Sequence, residues 1–113
     1  TWNTPETYAL LAQYNAAWCI YHLAGYLSPL EVTADFTYIR LHGPGGKYQG
    51  SYSDPDLHQW ARKIAEWGRT LAAIYVYFDN DDSGYAPHDA LRLRAMAGLQ
   101  GVGGSIPSLA TTI

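Results

Sequence analysis

The sequence predicts an α/β fold built on parallel strands, and three observations carry that prediction. Short runs of apolar, β-branched and aromatic residues alternate with stretches of helical spacing. Capping residues open those helical stretches, and Gly- or Pro-containing loops separate them from the strands. The chain of 113 residues, 48% hydrophobic, is long and apolar enough for one domain with one core.

The first helix is predicted over Pro5–Gln13. Thr4 is a good N-cap, Pro5 suits the first helical position, and Glu6 favours the positive end of the helix dipole. The apolar run after Asn15 predicts a strand over 17–22. YLSPLEVTAD then reads as a connection. FTYIRL predicts a strand over 36–41, followed by the glycine-rich loop GPGGKYQGSY. SDPDLHQWARKIAEW is the strongest helix signal. Ser53 caps it, Pro55 lies in its first turn, and Leu57, Trp60, Ala61, Ile64 and Trp67 follow helical spacing. IYVYFD predicts a strand over 74–79, DDSGYAP a turn, and HDALRLRAMAG a last helix closed by Gly98. Residues 1–103 form the domain segment, and the Gly- and Ser-containing tail 104–113 is expected to carry no structure.

Side chains alternate along a strand, so Tyr38, Arg40 and His42 share one face, and Tyr75, Tyr77 and Asp79 share the matching face of the last strand. Parallel neighbours bring these faces together and make Arg40 and Asp79 plausible partners, since a guanidinium held away from water needs a carboxylate or several acceptors. His22 falls at the C-terminal end of its strand, the end at which parallel α/β sheets place ligands. Two readings remain open: a ligand site built on Arg40, His42 and Asp79, or a structural ion pair capped by tyrosine hydroxyls.

Other chemistry is less supported. GPGGK lacks the P-loop pattern, so backbone phosphate binding with help from Lys47 competes with a plain turn. His22, His42 and Asp79 are the conceivable metal donors, but no paired-Cys, HxH or HExxH spacing supports a metal, and none is assigned. DNDDSG lacks the glutamate of a calcium loop, with Ala90 in its place. Cys19 sits in an apolar strand and reads as core. No cofactor is named by the sequence.

The net charge of −3, with seven Lys and Arg, does not support a nucleic-acid surface in this segment. No apolar run approaches the ~20 residues of a membrane span. A lone cysteine fits a reducing compartment, so a cytoplasmic location is expected.

The ordered set F-x-Y-x-R-L-H-G (36–43), Y-x-G-x-Y-S-D-x-x-L-x-x-W (48–60), Y-V-Y-F-x-N-D (75–81) and A-x-x-x-A-L-x-L (86–93) resembles the C-terminal part of the YecE-like family, domain of unknown function seventy-two. The stretch from Trp2 to Asn15, W-x-x-P-E-x-Y-x-L-L-x-x-Y-N, fits the helix before that family's sixth strand. The resemblance implies a TIM barrel, with about three βα units (roughly strands six, seven and eight) supplied here. It implies an incomplete polypeptide that needs its N-terminal half or self-association. Three positions depart from the family pattern: Asp79 and Asp89 where Asn is usual, and His22 where Asp is common.

The functional expectation is a small-molecule or phosphate-ester site at the C-terminal rim of the strands. His42 is its acid or base, Asp79 orients it, and Arg40 binds an anionic small molecule. Tyr52, Tyr77 and Asn80 supply further ligand contacts. The alternatives are a non-catalytic barrel that binds a ligand or nucleic acid, and a fragment without independent activity.

Overall fold

Capping chemistry starts both of the first two helices where the sequence places them. Thr4 Oγ1 accepts from the Thr7 N–H at 3.2 Å, and Pro5 opens α1 (Pro5–Gln13). Asn15, with φ of 51°, ends this helix in the left-handed region that Asn tolerates. Its side-chain amide donates to Asp35 Oδ1 at 3.0 Å, and its carbonyl accepts from the Asp35 N–H at 2.9 Å. That reciprocal pair fixes the end of α1 beside the start of β3.

The computed structural model describes residues 2–45, 50–80, 83–99 and 108–112. After α1 come β1 (Cys19–Leu23), β2 (Tyr26–Leu27), β3 (Phe36–Leu41), α2 (Asp54–Trp67), β4 (Ala73–Phe78), α3 (Tyr85–Leu99) and β5 (Ser108–Thr112). The sheet order is β2-β1-β3-β4-β5. β1, β3, β4 and β5 run parallel in sequence order, and β2 is antiparallel to β1.

The core lies between the sheet and two helices. Ile20, Ile39, Leu41, Ile74, Val76 and Phe78 point to one face and are fully buried. Leu57, Ala61, Ile64 and Trp67 of α2, with Ala86, Ala90, Leu93 and Ala97 of α3, close over them. Each large side chain buried this way contributes roughly 1.5–3 kcal/mol. The small residues of α3 let it lie close to α2.

Several details differ from the sequence reading, and β4 lies one residue earlier than the expected 74–79. β1 starts at Cys19 because the Trp18 N–H donates to Thr33 Oγ1 at 2.9 Å instead of to a strand. Part of the expected connection is a hairpin: Leu23 pairs with Tyr26, and Ala24 (φ 50°) and Gly25 (φ 84°) form its two-residue turn. α3 begins at Tyr85, so Pro87 falls in its first turn, and it runs on through Gly98 to Leu99 instead of closing at that glycine. Residues 108–112 of the tail pair parallel with β4. Thr111 and Thr112 are β-branched and suit a strand, and without β5 the β4 edge would lack this partner. Residues 104–107 and 113 lie outside the described residues.

Candidate functional site

Strict alternation in β3 builds the site. Thr37, Ile39 and Leu41 are buried against the helices, while Tyr38 and Arg40 stand half-buried on the opposite face. The register sets Arg40 between Tyr21 of β1 and Tyr77 of β4, and Tyr38 between Cys19 and Tyr75. The Tyr38 and Tyr77 rings stack with centroids 4.8 Å apart. This face carries no helix among the described residues.

The sheet ladder continues past the strand ends. The His42 N–H donates to the His22 carbonyl at 2.9 Å, and the Asp79 N–H donates to the Leu41 carbonyl at 2.8 Å. These bonds hold Asp79 at the rim above Arg40. Arg40 Nε and Nη2 both donate to Asp79 Oδ2, at 3.0 and 2.8 Å. His42 Nδ1 lies 3.4 Å from the same oxygen. The hydrogen bonds that Arg40 donates to Asp79 hold its guanidinium above its ordinary pKa, against partial desolvation. Burial pushes the nearby Cys19 thiol up, and Arg40 opposes that shift. A neutral thiol is a poor nucleophile, so Cys19 is not poised for attack.

Arg40 Nη1 takes no part in the pair, and 42% of the Arg40 side chain remains exposed. The arrangement therefore presents a fixed cation with a donor edge toward the open face. It can hold an oxyanion, with a histidine beside it.

Tyr52 and Asn80 do not join this face. Tyr52 is buried under the loop that follows β3. Its Oη accepts from the Gly43 N–H at 2.9 Å and lies 2.9 Å from His22 Nδ1. The buried Tyr52 hydroxyl proton needs an acceptor, and His22 Nδ1 is the one within reach, so we assign His22 as the acceptor. Burial pushes the Tyr52 phenol far above its usual range and lowers the His22 pKa, so both are neutral near pH 7.

Asp89 of α3, wholly buried, is the hub of a second network. Its Oδ2 accepts from the Tyr52 N–H at 2.8 Å and from Asn80 Nδ2 at 2.9 Å. Its Oδ1 accepts from Ser51 Oγ at 2.7 Å and from Arg92 Nη1 at 3.0 Å. Asn80 Nδ2 also donates to the Gly50 carbonyl at 2.8 Å. Arg92 donates to the Tyr52 carbonyl at 2.9 Å and to Asp54 at the start of α2. This network pins the segment from Gly50 to Tyr52 to α3 and so sets where the chain re-enters the fold after His42.

Of the expected site residues, the structure gathers Arg40, His42, Asp79 and Tyr77, and it puts Tyr52 and Asn80 in the buried supporting network. Sequence reasoning missed Asp89 and Arg92 as partners. Their spacing of three on one helix was the available signal. His22 turns to the helix side, away from Asp79, and among the described residues no three His, Cys, Asp or Glu side chains are grouped to hold a metal. Lys47 and Asp81 lie outside the described residues. No helix among the described residues is long and apolar enough to cross a membrane.

Comparison with known proteins places the chain in a family. Residues 1–111 match DUF72, a protein of unknown function, and the chain belongs to that family. The crystal structure of a DUF72 family protein from Thermotoga maritima is similar, with a TM-score of 0.75 and 25% identity over 86% of this chain and 42% of that one. A DUF72 family protein from Enterococcus faecalis gives a TM-score of 0.74 at 14% identity, over 86% of this chain and 44% of that one. The chain thus spans less than half the length of the solved structures it matches. No curated protein matches it.

Proposed function

We propose that this DUF72 chain is the C-terminal part of a YecE-like TIM barrel that binds a small anionic molecule at the C-terminal rim of its strands. The observation that carries the reading is the Arg40–Asp79 pair: one carboxylate oxygen takes two guanidinium N–H groups and leaves Nη1 outside the pair, on a side chain that stays 42% exposed. A purely structural pair gains most from fork-to-fork contact, whereas this one leaves a donor edge for a ligand. Where the ligand is a phosphate ester, His42 is the acid or base and Asp79 orients Arg40 and His42.

Three features support the barrel. The parallel strands follow sequence order, both α2 and α3 lie on one face, and the opposite face carries polar and aromatic side chains as a barrel interior does. α1 buries none of its residues, with Leu10 58% and the C-cap Tyr14 71% exposed, as expected of a helix whose neighbours belong to further βα units or to a second copy. The charge balance disfavours nucleic acid as the ligand of this segment. A lone free cysteine fits a cytoplasmic setting.

Inorganic phosphate is the simplest probe. Calorimetric titration is expected to show saturable binding that Arg40→Ala weakens by about tenfold or more and Arg40→Lys weakens less. Unchanged binding in Arg40→Ala, with the fold intact, refutes the site. Binding without turnover of phosphate esters favours the non-catalytic alternative.

A further inference from the structure

On the helix side of the sheet, away from Arg40, a cavity of about 410 Å³ opens between the β1–β2 hairpin and α2. That volume falls within the range of small-molecule pockets. Its apolar walls are Leu27, Leu30 and Trp60. Leu27 is 45% and Leu30 42% exposed, so the walls stand uncovered.

The polar groups are unevenly matched, and that mismatch defines the ligand. Asp56, Gln59, Trp60 and Lys63 form one stripe of α2 along the cavity. The Asp56 carboxylate has no hydrogen bond or ion pair among the described residues. Lys63 does not neutralise it, because its ammonium lies 3.7 Å from Glu66 Oε2 and 5.3 Å over the Trp67 ring. His22 also lines the cavity, with Nδ1 accepting from Tyr52. Its remaining ring nitrogen, Nε2, therefore carries the proton and is a neutral donor. The cavity offers a carboxylate that wants donors, an N–H that wants an acceptor, an amide that serves either, and an indole face.

A simple anion leaves the Asp56 carboxylate without a donor, and a simple cation leaves the His22 N–H without an acceptor. We infer that this cavity binds a planar nitrogen heterocycle of lactam type, in which N–H donors sit beside a carbonyl oxygen on one edge. Asp56 accepts from the N–H pair, His22 Nε2 donates to the carbonyl oxygen, and Trp60 stacks on the ring. Gln59 takes a remaining donor or acceptor.

Guanosine carries that edge, inosine lacks its amino group, and adenosine reverses donor and acceptor. Titration calorimetry of the purified protein is expected to show saturable guanosine binding, weaker inosine binding by about tenfold, and little adenosine binding. Asp56→Asn is expected to abolish the preference for guanosine over adenosine, while Arg40→Ala leaves it unchanged and so separates this cavity from the anion site. No saturable guanosine binding, equal affinity for guanosine and adenosine, or an intact preference in Asp56→Asn overturns the inference. If Asp56→Asn fails to fold, the ranking of the three nucleosides on the unaltered protein decides.

Discussion

Replacing Asp89 by alanine tests the buried network at its hub. The change removes the acceptor of four donors at a position with no solvent exposure. Two of the four have relief. Ser51 is exposed and can turn to water, and Arg92 keeps Asp54. The Tyr52 N–H and one Asn80 Nδ2 proton have none, because both are sealed from solvent. Each buried donor left unsatisfied costs about 1–3 kcal/mol, so Asp89→Ala is expected to lose roughly 2–6 kcal/mol. Against a total stability of about 5–15 kcal/mol this is a large fraction. Asp89→Asn provides the contrast. Its carbonyl oxygen at the Oδ2 position keeps both sealed bonds, and its amide can donate to Ser51, so its loss is expected to stay under about 2 kcal/mol. Urea unfolding followed by tryptophan fluorescence measures both. A loss below about 1 kcal/mol in Asp89→Ala, or equal losses in the two variants, refutes the reasoning.

Other changes probe the elements around the site. Ala24 holds a left-handed conformation in the hairpin turn, so Ala24→Gly is expected to stabilise by about 1 kcal/mol in the same assay. Tyr52→Phe strands the buried Gly43 N–H and is expected to cost about 1–3 kcal/mol, with the loop after β3 becoming more open to amide hydrogen exchange. Burial lowers the His22 pKa, so above the ordinary histidine value of about 6.5 the residue is neutral in both states and adds no pH dependence to stability. As pH falls below that value the unfolded chain takes the proton first, and stability is expected to drop until the folded pKa is passed. His22→Gln should flatten that part of the stability profile, and an unchanged profile would remove His22 as its source.

The backbone plan was largely legible because local signals agreed with the fold. Thr4 and Ser53 cap the helices that sequence places there, and the apolar stripe of α2 is the face that is buried. Alternation in FTYIRL puts Arg40 on the face opposite Thr37, Ile39 and Leu41, as the burial pattern has it. What stayed hidden depends on contacts between residues distant in sequence. Nothing local shows that Thr33 captures the Trp18 N–H and shortens β1, or that Asp89 reaches back to Tyr52. The sequence reading gives Tyr52 and Asn80 ligand contacts beside Arg40. Their side chains instead turn inward, where Tyr52 meets His22 and Asn80 meets Asp89. Neither the hairpin at Ala24 nor β5 carries a strong turn or strand signal, and both form by pairing against an existing sheet edge.

The proposed site requires Arg40 to offer the edge not bonded to Asp79 to an anion. Nitrogen-15 NMR of the Arg40 side chain, titrated with inorganic phosphate, reads this directly. The account predicts that the Nη1 protons shift and slow their exchange on saturation while the Nε proton bonded to Asp79 stays in place. Signals that do not move as phosphate is added, with the Asp79 bond intact, would contradict it and leave Arg40 a structural partner of Asp79 alone.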